Sequence, residues 1–169
     1  MTHPMRTRGF SLIEVLIASM LVGLAIAALV VANGTFTMAN YAGADLTTAE
    51  FLIEQIREMT AMLPVMDPNT MTPPQFGVEA DETTVAAYDD VDDFDGVTFS
   101  PPVDAARTPL PDLAAFTQTI TVERLNPSNF DQVEDDSYNS DFFRVTVTIA
   151  QSNQPDRPIS TANWVRARY

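Results

Sequence analysis

Asp89, Asp90, Asp92, Asp93 and Asp95 put five carboxylates into a run of seven residues that Gly96 closes. Oxygen-only donors on a turn suit a hard divalent cation, and calcium accepts about six to eight oxygens in flexible geometry. Asp93-Phe94-Asp95-Gly96 overlaps the middle of an EF-hand loop, but Val91 stands at its first ligand position and Pro102 at its last, which excludes that motif. The competing account is a solvated acidic turn with Val91 and Phe94 tucked inward. Two carboxylates would also suffice for glycoside chemistry, yet nothing in the sequence selects a pair.

Other residue types are missing. The chain has 169 residues, no Cys and one His, and its nine basic residues are all Arg. A thiol nucleophile, a disulfide framework and a thiolate metal site are excluded, and so is a lysine Schiff base. The single His is His3; without the extreme N-terminus no imidazole remains for a triad or for zinc. A formal charge of -14 argues against tracking phosphates, so nucleic acid is not an expected partner. Trp164 with Arg166, Arg168 and Tyr169 could form a binding patch, against which stands a plain place in the core or at the edge of a terminal strand.

The second chemically odd residue is Glu14, because of where it lies. Val15 to Ala32 is 18 residues long with Ser19 as its single hydroxyl, and no charge occurs between Glu14 and Asp45. About 20 apolar residues cross a bilayer as a helix, so a span over about residues 13–36 is expected. Arg6 and Arg8 precede it and Asp45 and Glu50 follow, which places the N-terminus in the cytoplasm and the remainder outside. A carboxylate just inside such a span carries an insertion penalty and is usually there for a partner.

The helical pattern continues beyond the apolar run. Ala42, Leu46, Ala49, Ile53, Ile56, Met59 and Leu63 recur at steps of three and four between charged residues, giving one apolar stripe. No proline occurs from Phe10 to Leu63 and Pro64 ends the pattern, so one helix over 10–63 is expected. Met59, Met62 and Met66 should pack its end. After Pro64 the texture becomes turn-rich. Phe143, Val145, Val147 and Ile149 alternate with Arg144, Thr146 and Thr148; Thr117 to Leu125 and Ile159 to Tyr169 are further strands, with Thr83 to Tyr88 and Val97 to Ser100 as shorter candidates. The fold class is α+β: an antiparallel sheet of three to five strands on the second half of the helix, with residues 64–169 as one small domain.

Arg8-Gly9-Phe10-Ser11-Leu12-Ile13-Glu14-Val15 joins a short basic leader, a glycine, an aromatic and an acid four residues later to an apolar helix. This arrangement resembles the prepilin signature of the type IV pilin and pseudopilin superfamily. The resemblance implies a pilin-like fold, a leader of residues 1–9 removed by a prepilin peptidase after Gly9, and methylation of the new N-terminus, Phe10. It also implies that Glu14 pairs with the N-terminal amine of a neighbouring subunit and sets the axial register. Removing the leader takes His3, Arg6 and Arg8, leaving seven Arg against 23 acids. Tyr88 to Gly96 and the Phe143 to Thr148 strand are similar to minor pilins of the mannose-sensitive haemagglutinin type, D component. The lack of Cys and of a proline within the apolar half of the helix departs from many major pilins.

The expected function is thus a minor pilin or pseudopilin, a structural subunit of a type IV pilus-like or type II secretion filament and not an enzyme. Its partners would be the prepilin peptidase, other pilin subunits, the inner-membrane assembly platform and the lipid bilayer. It would sit in the bacterial inner membrane as a single-pass protein with a periplasmic C-terminal domain, and later in the filament. No cofactor is expected apart from calcium at Asp89, Asp90, Asp92, Asp93 and Asp95. The alternatives are a filament-tip adhesin, a plain membrane-anchored exported domain, and an ordinary secretory signal cut near Ala32.

Overall fold

Helix α1 runs Leu12–Ala61 and stops three residues short of Pro64. The computed structural model describes residues 9–66, 76–135 and 139–168; His3, Arg6, Arg8 and Tyr169 lie outside them. The chain divides into two compact units, Met1–Ala44 and Asp45–Tyr169.

In the first unit the helix has no apolar stripe, because it is apolar all round. Three of its hydroxyls are satisfied within the helix: Ser19 Oγ donates to the Leu16 carbonyl at 2.9 Å, Thr35 Oγ1 to Val31 at 3.1 Å and Thr37 Oγ1 to Asn33 at 2.9 Å. Such back-bonding removes the need for water, as a low-dielectric surrounding demands.

The second unit is a five-stranded antiparallel sheet covered by the end of α1. Strands β1 (Thr98–Phe99), β2 (Phe116–Asn126), β4 (Phe142–Gln151) and β5 (Gln154–Ala167) lie in the order β1-β2-β4-β5, and β3 (Asn129–Glu134) pairs with β2 as well. The alternation read from the sequence holds in β4, where Phe143, Val145, Val147 and Ile149 are fully buried and face the core. Thr98 pairs with Thr119 and Thr148 with Thr161 through their hydroxyls on the exposed face. One solvated and one packed face is the usual state of an antiparallel sheet.

The helix contributes Ala49, Leu52, Ile53, Ile56 and Met59 to this core, with Thr60 buried beside them. Ala49, Ile53, Ile56 and Met59 of the expected stripe are buried, but the stripe begins later than expected and takes in Leu52. Leu52 is fully buried, whereas Leu46 is 43% exposed and Ala42 is exposed. Met59 and Met66 are buried as expected, but Met62 points outward at 92% exposure, since the helix ends at Ala61 and turns the next residue away.

Polar side chains of three strands fasten the helix to the sheet, Gln151 of β4 by one bond to Asp45 (3.1 Å) and two others by bonds to its backbone. Gln118 of β2, with no exposed surface, donates to the carbonyls of Leu52 (3.0 Å) and Val103 (3.1 Å) and accepts from the Val103 N–H (2.7 Å). Arg166 of β5 donates to the carbonyls of Thr60 (2.8 Å) and Leu63 (2.9 Å). The last turn of α1 has no basic residue of its own, so a side chain from the far end of the chain serves the carbonyls there, sharing that of Thr60 with the Leu63 N–H at 3.3 Å.

Residues 83–88, expected as a strand, form turns instead. The Ala87 N–H bonds to the Thr84 carbonyl at 2.8 Å, and the Glu82 carboxylate takes the Asp89 N–H at 3.2 Å, so the backbone is closed on itself and cannot join a ladder.

Candidate functional site

At the N-terminal end, Gly9 and Phe10 precede α1 and Ser11 caps it. The Glu14 N–H donates to Ser11 Oγ at 3.3 Å and to the Ser11 carbonyl at 3.1 Å. Ser11-Leu12-Ile13-Glu14 has the S-x-x-E spacing of a capping box, and an acid in the first turn favours the positive end of the helix dipole. Glu14 thus has a local structural use beside any role in register. Every described side chain of Met1–Ala44 is exposed, with Phe10 at 81%, Leu12 at 82% and Met20 at 76%. An apolar helix with no covered face belongs in lipid or among other helices. α1 is the one described helix long and apolar enough to cross a membrane.

The acidic run is not a solvated turn. Asp90, Asp92 and Asp93 are at most 1% exposed, and Val91 and Phe94 are fully buried with them. A short 3₁₀ turn, Asp92–Phe94, holds the segment. Its backbone is tied to the chain after the helix by Val91 N–H to Pro64 (3.0 Å) and Asp92 N–H to Val65 (3.3 Å). The turn is organised by its own acids. The N–H groups of Asp89 and Asp90 converge on Asp93 Oδ2 at 3.1 and 3.2 Å, and Asp93 N–H returns to Asp90 Oδ1 at 3.2 Å.

Two further carboxylates, from residues the sequence reading passed over, complete the cluster. Glu82 accepts the N–H groups of Asp89 (3.2 Å) and Glu79 (3.3 Å), which folds segment 79–82 against segment 89–93. Carboxylate oxygens of Glu79, Asp90 and Asp93 lie within 4.8 Å of one another, as do those of Glu82, Asp89 and Asp93. A signal was present in the sequence: Glu79 and Glu82 share a turn-like spacing shortly before the aspartate run. Of the five aspartates singled out, the structure brings Asp89, Asp90 and Asp93 into these groups. Asp92 instead accepts the Gly77 N–H at 2.9 Å, at a glycine with φ +81° that an L-side chain would strain, and Asp95 accepts the Val122 N–H of β2 at 2.8 Å.

Crowding so many acids shows in their proton affinities. Burial, then contact with Glu82 and repulsion from Asp90 and Asp93, pushes Glu79 up to about 8. Burial and contact with Asp92 raise Asp90 to about 8. Asp93 rises to about 7 through burial and its contact with Glu82, and Asp92 to about 6, chiefly through burial. Glu82 moves the other way: burial would raise it, but hydrogen bonds from Asp93, Glu79 and two backbone N–H groups outweigh that and hold it low.

The suggested patch at the C-terminus is occupied internally. Trp164 is half-buried beneath the Arg57 guanidinium at 4.8 Å, Arg166 holds the helix end, and Arg168 pairs with Asp141 at 3.4 Å.

Residues 4–31 match the family model of the prokaryotic N-terminal methylation motif. No curated protein and no solved structure matches the chain. The matched residues include Arg6, Arg8, Gly9, Phe10, Glu14 and most of the apolar run. The motif, the long apolar helix and the small antiparallel sheet together indicate a membrane-anchored, single-pass, type IV pilin-like chain, a structural subunit and not an enzyme.

Proposed function

We infer that the chain is a minor pilin or pseudopilin of a type IV pilus-like or type II secretion filament. Residues 1–9 are a leader cut by a prepilin peptidase after Gly9, and Phe10 is the methylated N-terminus. Residues 10–63 are the assembly helix, spanning the inner membrane over about 13–36 with the N-terminus cytoplasmic, and residues 64–169 are the periplasmic domain. The observation that carries this reading is the methylation motif over residues 4–31, in register with a helix apolar on every side. Extraction from lipid into a bundle of like helices exchanges one apolar surrounding for another. Glu14 would meet the amine of a neighbouring Phe10, and pairing offsets the penalty of each buried charge. The similarity of Tyr88 to Gly96 to the haemagglutinin-type D component favours a minor pilus subunit of that kind.

Mass spectrometry of the mature chain tests the processing: an N-terminus at methylated Phe10 is expected, and one at Asn33 would mean a secretory signal. Glu14 is tested with a pair of variants. Glu14→Gln keeps a side chain suited to the capping box but removes the charge, whereas Glu14→Ala removes both. If charge sets register, both lose filament incorporation at unchanged protein level; if Glu14 only caps the helix, Glu14→Gln assembles normally.

A further inference from the structure

The geometry points to a calcium site built from two segments, with Glu79 and Glu82 contributing oxygens opposite Asp89, Asp90 and Asp93. The spacing fits the ion. Oxygens bound to one calcium at about 2.3–2.6 Å can stand no more than about 5 Å apart, and both triplets here lie within 4.8 Å. Proximity of acids alone would carry little. The decisive feature is that Asp93 has no exposed surface while no N–H or hydroxyl donor reaches its Oδ1, the backbone N–H groups of Asp89 and Asp90 being taken by Oδ2. Glu79 Oε2 is likewise buried without a partner.

The surroundings of these oxygens are other carboxylates. Glu82 contacts both Asp93 and Glu79 at hydrogen-bonding range, so acceptor faces acceptor, an arrangement that needs a proton or a cation between the oxygens. Among the described residues no ion pair holds Glu79, Glu82, Asp90 or Asp93. Arg107, which reaches this loop, donates instead to the carbonyls of Val85 (2.7 Å) and Ala86 (3.3 Å) and lies over the Phe94 ring. Oxygen-only donors exclude metals that select nitrogen or sulfur. Five protein carboxylates suit calcium better than magnesium, which keeps most of its water. The site is therefore narrower than the aspartate run in one respect and wider in another: Asp95 accepts the Val122 N–H, Asp92 accepts the Gly77 N–H through Oδ2 and belongs to neither triplet although its Oδ1 is buried without a partner, and the two glutamates join instead.

Tyr88 provides the readout, because it adjoins Asp89 and packs edge-on against Phe94 at 5.3 Å, close enough to sensitise a terbium ion bound in place of calcium. The full-length mature chain in detergent, stripped of metal, is titrated with terbium and then with calcium chloride. Tyrosine-sensitised luminescence that calcium displaces is expected, with a rise in thermal midpoint as calcium passes about 1 mM. Asp93→Asn should lose both responses while unfolding in metal-free buffer no earlier than the parent, since it removes buried repulsion and keeps an oxygen for the N–H groups of Asp89 and Asp90. Glu82→Gln should lose both responses as well, and it serves as the second variant should Asp93→Asn not fold. Tyr88→Phe should lose the luminescence and keep the calcium-induced rise. Absence of both responses in the folded parent overturns the proposal and leaves shared protons alone between the carboxylates. An equal rise with magnesium, or an unchanged response in both ligand variants, also overturns it, because either means screening of a strongly acidic surface, seven Arg against 23 acids in the mature chain.

Discussion

Replacing Gln118 by leucine should loosen the helix from the sheet, and the size of the effect follows from which atoms lose partners. The side chain is fully buried and makes three hydrogen bonds, two to the backbone of Val103 and one to the Leu52 carbonyl. Leucine fills a similar volume, so no large cavity opens. The Leu52 carbonyl keeps its place in the helical ladder and loses little. The N–H and C=O of Val103, a residue 5% exposed, lose the Gln118 amide, and each buried unpaired group costs about 1–3 kcal/mol. Relief from burying an amide offsets part of this, leaving a net loss of about 3 kcal/mol. That is a large share of a typical domain's stability of about 5–15 kcal/mol. Gln118→Glu should be worse: its carboxylate still accepts from Val103 N–H but turns an acceptor toward two carbonyls and buries a charge. Urea unfolding in detergent, followed by the fluorescence of Trp164, measures both. At a slope of about 1.5 kcal/mol/M, the leucine variant should lower the midpoint by about 2 M. A fall under about 0.3 M, or equal effects of the two variants, would show that the loop around Val103 finds water and that the Gln118 amide holds nothing together.

Arg166→Ala removes two charge-assisted bonds to the helix end and should cost about 2 kcal/mol in the same assay; Arg166→Lys, with a single point donor, should recover only part of it. Leu52→Ala, at a fully buried position, should cost about 2–5 kcal/mol, whereas Leu46→Ala, 43% exposed, should stay within about 0.5 kcal/mol; equal effects would refute the limits of the buried stripe. In metal-free buffer the acidic loop makes stability fall as pH rises. Glu79 and Asp90 titrate near 8 when folded against ordinary values of 4.5 and 3.8, so the folded chain binds more protons in that window. Their stabilisation is complete below the ordinary values and lost as pH passes about 8; Glu82, held low, works weakly in the opposite sense. Thermal midpoints that climb between about pH 5 and pH 8 without metal would contradict this.

Much of the architecture was legible because it rests on local repetition. Strict alternation located β4, and the proline-free stretch before Pro64 located α1 within two residues at each end. Gln118 could be placed on the inward face with Ile120 and Val122 by the same alternation, though not its partners, which come from helix and loop. The turn at residues 83–88 was misread because Thr-Val-Ala-Ala-Tyr has strand-like composition, whereas its backbone is set by a carboxylate outside that window, Glu82. For the same reason Asp92 and Asp95 could not be told from Asp90 and Asp93 in the sequence. Which aspartate turns to a backbone N–H depends on Gly77 and Val122, 15 and 27 residues away from it.

The bond from Arg166 to Thr60 spans 106 positions of the chain. At about 5–20 residues per second, a ribosome needs some 5–20 s to make that interval. The apolar segment has long since left the ribosome by then, and the helix end waits without its guanidinium. β5 also brings Trp164 to Arg57, so the strand made last closes the element made first. Until it arrives the nascent domain is an unsealed sheet on a tethered helix, and a chain cut short before Arg166 would lack both bonds to the helix end.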